Sequence, residues 1–344
     1  LQSLLQQAGK ILIQEKSTSA LVRSSASAAL VSLGIGQIDF ATGLEWFRQL
    51  ITHSTENSSN GTSSPVAQIT TYGLVLAGLY ECAPEDADTD ALLEECYPLI
   101  LQCLNRIYLE NDPEEEGLLC LHDLSAGFFP ASLMWEALDA DDSPVAVQDP
   151  LINSIAVWSN ECLIDIGTHL GQDVLELMQW NELMIYSVNE KLWDEERGIY
   201  QPYDLHRQRR LAGDNLLGFM PLVGEIPDQD RAEDMLGILR SDRFRPPAKP
   251  YLSCPTHSPA DPAADLYKAG SGGVSVMANW LLSHGLERYG MYNAAEQLKK
   301  DALQLMSDHG FREAYHPVGG TPVVDSAAPD LTAAALCAYW LSTA

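Results

Sequence analysis

Catalysis needs a side chain that can move a proton or attack a bond, and this chain of 344 residues offers few spaced to do either. His122 and Asp123 are neighbours and could form half of an acid–base pair, although a lone His beside an Asp is more often structural. Ser271 stands in Ala269-Gly270-Ser271-Gly272-Gly273, not in the G-x-S-x-G of a nucleophile elbow. The same glycine run could turn backbone amides toward an anion, but it lacks the lysine of a P-loop. The seven cysteines (Cys82, Cys96, Cys103, Cys120, Cys162, Cys254 and Cys337) form no C-x-x-C pair and lie mostly in apolar stretches. That usage predicts buried, reduced thiols and favours a cytoplasmic compartment. The eight histidines are scattered and no H-E-x-x-H occurs, so neither a metal nor another cofactor is expected.

Carboxylates are the abundant resource. Asp and Glu number 48 against 20 Lys and Arg, a formal charge of −28 that argues against nucleic acid as a partner. The acid is scattered, apart from short runs such as Glu114-Glu115-Glu116, and reads first as a solvated, self-repelling surface. The 46% hydrophobic share can fill a sizeable core, and no apolar run long enough for a membrane span is present. Two N-x-[ST] matches, at Asn57 and Asn60, are weak signals in a polar loop. Because Leu1 falls inside an expected helix, the chain is expected to lack its natural N-terminus.

Helical periodicity dominates the elements that must position these groups. Apolar residues recur at three and four spacing through 1–16, 20–35, 40–53, 65–82, 89–110, 150–170 and 173–192. Further segments are 213–223, 229–240, 272–290, 292–309 and 329–343. No helix-sized segment alternates with period two, which argues against a parallel sheet. One short hairpin is predicted over Trp193–Tyr200, with Gly198 supplying the turn. The irregular stretches 54–64, 111–130 and 243–271 are long enough to be functional loops. None reads as a linker, so residues 1–344 are expected to form a single domain. With no recurring repeat signature, a dozen helices of unequal length fit a closed toroid better than a solenoid.

Several ordered motifs carry a family resemblance. Leu192 to Leu205, LWDEERGIYQPYDL, resembles a segment of mannosylglycerate hydrolases and their glucosylglycerate-hydrolase and glucosidase relatives. Asn279-Trp280-Leu281-Leu282, with Gly285-Leu286 and Tyr289-Gly290, resembles their NWLL helix. Gly310-Phe311-Arg312-Glu313-Ala314-Tyr315-His316-Pro317 resembles GFxEYFDP, and Thr332 to Leu336 resembles the closing SWTAAL. Upstream, Asp149-Pro150-Leu151-Ile152-Asn153 matches a D-P-x-x-N helix start. The resemblance covers about two-thirds of the chain. It implies an all-α fold, an (α/α)6 toroid of six helical hairpins, related to trehalase-like enzymes, with a pocket at one mouth. There two carboxylates would hydrolyse an α-glycosidic bond with inversion: an acid protonates the leaving oxygen while a base ~6.5–9.5 Å away activates water.

By this resemblance Glu313 falls on the base. The acid has two alignments: one places Phe128, Phe129 or Pro130 where the aspartate belongs, the other makes Asp141 of Asp141-Asp142-Ser143-Pro144 the acid. Trp135, Glu136, Trp280, Tyr315 and Tyr203 are the residues expected to bind sugar. Other family positions have changed. The N-terminal tryptophan-aspartate pair falls near Ala26 and Ser27, a glutamine near Ser63, and YWRGPxW on Ala269–Ser275. The aromatic-serine-tryptophan of the last motif becomes Pro329-Asp330-Leu331. Two functions are therefore expected: an inverting glycosidase of a small glucoside or mannoside, or a catalytically degenerate barrel repurposed to bind an altered ligand or a protein partner.

Overall fold

The computed structural model describes residues 2–14, 25–57, 65–129, 132–138, 144–245, 253–323 and 329–343. Among them are twelve α-helices: α1 (Gln2–Gln14), α2 (Ala28–Gly36), α3 (Phe40–Asn57), α4 (Val66–Thr70), α5 (Tyr72–Glu81) and α6 (Thr89–Asn111) come first. They are followed by α7 (Pro150–His169), α8 (Leu175–Ser187), α9 (Gln229–Arg240), α10 (Val276–Arg288), α11 (Tyr292–His309) and α12 (Leu331–Ser342).

Six of the segments close a ring. Going round it, α2 packs on α5, α5 on α7, α7 on the 3₁₀ segment Leu216–Gly224, that segment on α10, α10 on α12, and α12 back on α2. The outer helices α1, α3, α6, α8, α9 and α11 alternate with them along the chain, which is the (α/α)6 arrangement. Composition explains which helices go inside. Every residue of α2 and of Leu216–Gly224 is buried, and a helix apolar on all sides must be walled on all sides.

The ring closes because small residues let backbones touch. A Cβ on Gly34 of α2 would lie 2.3 Å from the Ala335 Cα of α12, and one on Gly73 of α5 would lie 2.3 Å from the Ser159 carbonyl of α7. No side chain fits at either seam.

Two inner helices begin alike. Asp149 caps α7 by accepting the Leu151 N–H at 2.8 Å, and Pro150 occupies the first turn, where its missing N–H costs nothing. Ser275 caps α10 through the Ala278 N–H. One turn on, Asn153 and Asn279 each return an amide to their cap's carbonyl and clamp an incoming loop. Asn153 brackets Leu119 with bonds of 2.8 and 3.0 Å, and Asn279 brackets Cys254 with bonds of 2.8 and 2.9 Å.

Two expectations change in form. The helix expected over 213–223 is the 3₁₀ segment Leu216–Gly224, in which Pro221 lacks the N–H that an α-helix would use. The last turn expected of α8 is the wider π-turn Val188–Leu192. The hairpin forms as expected: β3 (Trp193–Asp194) pairs with β4 (Ile199–Tyr200), and Gly198 has φ +66° in the turn.

It is not alone. β1 (Cys120–Leu121), β2 (Val147–Gln148), β5 (Tyr203–Asp204) and β6 (Arg209–Arg210) form a four-stranded antiparallel sheet, and β7 (Val274–Ser275) pairs with β8 (Ala314–Tyr315). Strands of two residues are too short to show any alternation in sequence. All seven cysteines are unpaired; Cys96, Cys103, Cys120, Cys254 and Cys337 are buried.

Candidate active site

One mouth of the ring holds a cavity of about 310 Å³. Its wall is assembled from the approach to α2 (Ala26, Ser27), the loop at Ser125–Phe129, the start of α10 (Ser275, Met277), Glu313, and the start of α12 (Asp330, Thr332). The inner helices α2, α10 and α12 thus present their N-termini here. The Ser27 and Thr332 hydroxyls meet at 2.8 Å and tie two of those ends together.

Glu313 immediately precedes β8, whose pairing with β7 sets Ala314 opposite Ser275. Its loop is pinned from both sides. The Tyr315 hydroxyl donates to the Gly310 carbonyl at 2.5 Å and accepts the Arg312 N–H at 3.0 Å, and the Asp330 N–H reaches the Phe311 carbonyl at 3.0 Å. Gly310 ends α11 with φ +75°, so the turn into this loop uses a conformation that favours glycine. Glu313 itself remains open to solvent.

The electrostatics couple two carboxyls. Partial desolvation against the cavity wall, and secondarily the charge of Asp330, hold the Glu313 carboxyl above the usual glutamate range although its side chain still reaches solvent. Burial also raises Asp330, against the pull of the Ala333 and Thr332 N–H groups. Asp330 caps α12 by accepting the Ala333 N–H at 2.6 Å. Phe128 and Phe129 fill the wall contributed by their loop. The Trp135 indole N–H holds the Phe129 carbonyl at 2.8 Å, and the Leu133 N–H reaches the Gly270 carbonyl.

Residues 35–328 match the family described as the mannosylglycerate hydrolase MGH1-like glycoside hydrolase domain. The chain belongs to this family. Mannosylglycerate hydrolase of Rubrobacter radiotolerans is 30% identical over 185 residues, 54% of this chain and 42% of that protein. The same enzyme of Thermus thermophilus is 33% identical over 181 residues, 52% and 42% respectively. In these alignments the chain spans less than half the length of the curated relatives.

The crystal structure of GH63 mannosylglycerate hydrolase from Thermus thermophilus in complex with glucose superposes with a TM-score of 0.84 at 23% identity, over 98% of this chain and 100% of that one. Neutral trehalase from Saccharomyces cerevisiae superposes with a TM-score of 0.67 at 12% identity, over 93% of this chain and 70% of that one. Likeness at these identities shows the fold.

Of the residues the family pattern singles out, Glu313 faces the cavity, joined by Ala26, Ser27, Phe128 and Phe129. Asp141 and Ser63 lie outside the described residues, as does the side chain of Glu136, whose backbone belongs to the 3₁₀ turn Leu133–Ala137. Four aromatic residues have other positions. Trp280 is 1% exposed and packs among Trp158, His284 and Tyr339, so it is part of the core. Tyr315 is fully buried and Trp135 nearly so; each holds a loop of the cavity wall by hydrogen bonds, without lining the cavity. Tyr203 lies in β5 with the Lys191 ammonium 4.7 Å from its ring centre.

Sequence reasoning noted Asp330 only as a replaced position. A helix-capping Asp three residues before Ala333, ahead of an apolar run, was the available signal. Among the described residues no three His, Cys, Asp or Glu side chains gather as metal ligands, and no helix is long and apolar enough to cross a membrane.

Proposed function

We propose that this cavity takes the sugar of a small α-glucoside or α-mannoside and hydrolyses its glycosidic bond with inversion. The observation that carries this reading is the placement of Glu313: a carboxylate of raised basicity, open to solvent, in the wall of a cavity that also offers the Ser27, Ser275 and Thr332 hydroxyls. Glu313 takes the proton of the attacking water, and a second carboxyl gives one to the leaving oxygen. Asp141, from the Asp141-Asp142-Ser143-Pro144 segment, is assigned that second role on its likeness to the family's acid-bearing motif. Sugar recognition is supported by the glucose complex of the Thermus thermophilus relative and by another of its complexes, with Tris and D-glycerate.

A second reading has its own observation. Phe128 and Phe129 line the cavity on the loop where the other alignment places the family's acid. Phenyl rings can stack on a sugar face but cannot protonate a leaving group, so under that alignment the barrel would bind sugar without cleaving it.

One experiment separates the two. The full chain is assayed for hydrolysis of mannosylglycerate, glucosylglycerate and simple α-glucosides and α-mannosides, and for glucose binding by calorimetry. Hydrolysis that falls by at least ~100-fold in both Glu313→Gln and Asp141→Asn supports the first reading, since inversion needs an acid and a base. Turnover untouched by Glu313→Gln overturns it. Glucose binding without turnover of any substrate supports the second.

A further inference from the structure

A second depression, of about 380 Å³, shares no lining residue with the Glu313 cavity. Strand β6 contributes Arg209 and Arg210, and the bridge between Asn215 and His257 brings His257 beside them. Leu133, Met134 and Leu211 give it an apolar side.

Three of its features bear on what it could bind. First, His257 is 2% exposed, and although its Nε2 lies 2.9 Å from the Asp261 Oδ2, its buried Nδ1 has no partner among the described residues. A buried ring nitrogen left unpaired is costly, and native structures rarely tolerate one without a reason. Second, Asp261 is a firm carboxylate: its bond to His257 and the Ala263 N–H hold it below the usual aspartate range. Third, the cations here are not neutralised. Arg197 and Arg243 share Asp214, and Arg288 joins Glu161 to Glu225, but Arg209 and Arg210 have no carboxylate within ion-pair distance among the described residues. Arg210 spends only its Nε, on the Lys191 carbonyl at 2.9 Å. In a chain of formal charge −28, two adjacent arginines without a carboxylate partner among the described residues make a local positive spot.

We propose that this depression binds the oxyanion group of a small molecule, a phosphate or a carboxylate, between the two guanidinium groups and His257. In the complex the His257 ring keeps its Nε2 contact with Asp261 and turns its Nδ1 to the anion, which completes the hydrogen bonding of the ring. The arginines supply charge and fork-shaped donors. Leu133, Met134 and Leu211 would cover the carbon skeleton. The site is independent of whether the Glu313 cavity hydrolyses anything.

Inorganic phosphate and D-glycerate are the probes, titrated separately against the full chain while the ring-nitrogen NMR signals of His257, assigned from their loss in His257→Gln, are followed. A saturable shift of those signals is expected, with affinity at least about tenfold weaker in the Arg209→Ala/Arg210→Ala double variant, as fits the loss of charge-assisted bonds. Those two arginines are exposed, so the double variant should keep its fold, and calorimetric titration of wild type and double variant with the same two probes keeps the test decisive even if His257→Gln fails to fold. The probe that binds more tightly identifies the anion class. No saturable shift with either probe, or a shift unchanged in the double variant, overturns the proposal. Glu313→Gln is expected to leave the response intact; its loss there would assign the anion to the other cavity and also overturn the proposal.

Discussion

The inner ring and the mouth of this barrel are held by different forces. The ring is packed: Leu30, Leu33, Val75, Ile155, Phe219 and Leu281 are at most 2% exposed, and backbones meet at Gly34 and Gly73. The mouth is anchored by single polar contacts. Asn153 fixes Leu119, Asn279 fixes Cys254, and Tyr315 fixes the loop of Glu313. Packing is satisfied by many apolar combinations of similar volume, whereas a loop held by one amide depends on that amide. The anchors coincide with the motifs that carry the family resemblance: Asn153, Asn279 and Tyr315 each lie in one of them.

Trp280 is the sharpest way to break this comparison, because its sequence context suggested a sugar platform and its position is in the core. Trp280→Ala should cost about 3–5 kcal/mol, the range for deleting a large buried aromatic side chain. Urea unfolding measures that loss, and calorimetry on the folded variant should find glucose affinity unchanged. A variant of ordinary stability with weakened glucose binding would move Trp280 from the ring to the site.

The same contrast explains how much could be read from sequence. Helices such as α2, AALVSLGIG, are apolar on every side, so they declare themselves and their inner position. Asp149-Pro150 was legible as a helix start because capping needs particular side chains at particular offsets. Aromatic side chains were not legible in the same way. A ring that stacks on a sugar and a ring that fills a core look identical in a motif, and Trp280 and Tyr315 prove to be buried while Phe128 and Phe129 face the cavity. Asp330 was overlooked because the change around it read as a loss, whereas its carboxyl both caps α12 and raises Glu313. The four-stranded sheet escaped because each strand has two residues.

Where the ring meets the mouth, Asp149 offers a test of intermediate size. It is 3% exposed, and burial drives its carboxyl from the ordinary 3.8 up to about 7 despite the Leu151 N–H. A carboxyl whose value is raised by folding binds its proton more tightly in the native state. Its contribution to stability is complete below about 3.8 and is lost as pH rises through about 7. Asp149→Asn keeps an oxygen to accept the Leu151 N–H and removes the titration. Relative to wild type, the variant should gain on the order of 3–4 kcal/mol between the two pH values. Urea midpoints of both proteins across that window give the difference, in which the shared titration of the remaining acidic surface cancels. A difference independent of pH would show that Asp149 does not change its charge there, and that this junction is polar like the mouth.

Tyr315→Phe should have the smallest effect on stability and the most local one. Phe keeps the ring volume in its buried site and removes only the hydroxyl, which donates to Gly310 and accepts from Arg312. The expected loss is about 1–2 kcal/mol, because one half-buried carbonyl and one N–H lose a partner while packing is retained. Function should respond more than stability does. The hydroxyl spans Gly310 to Arg312, the residues immediately before Glu313, so its loss frees the segment that aims the proposed base. Turnover should fall by roughly tenfold or more at saturating substrate while KM stays near wild type, since misplacing a catalytic group costs mainly in the transition state. An equal loss of stability with unchanged turnover would show that β8 pairing alone orients Glu313. The contrast between a ring held by packing and a mouth held by single polar contacts would then fail at the loop where it matters most.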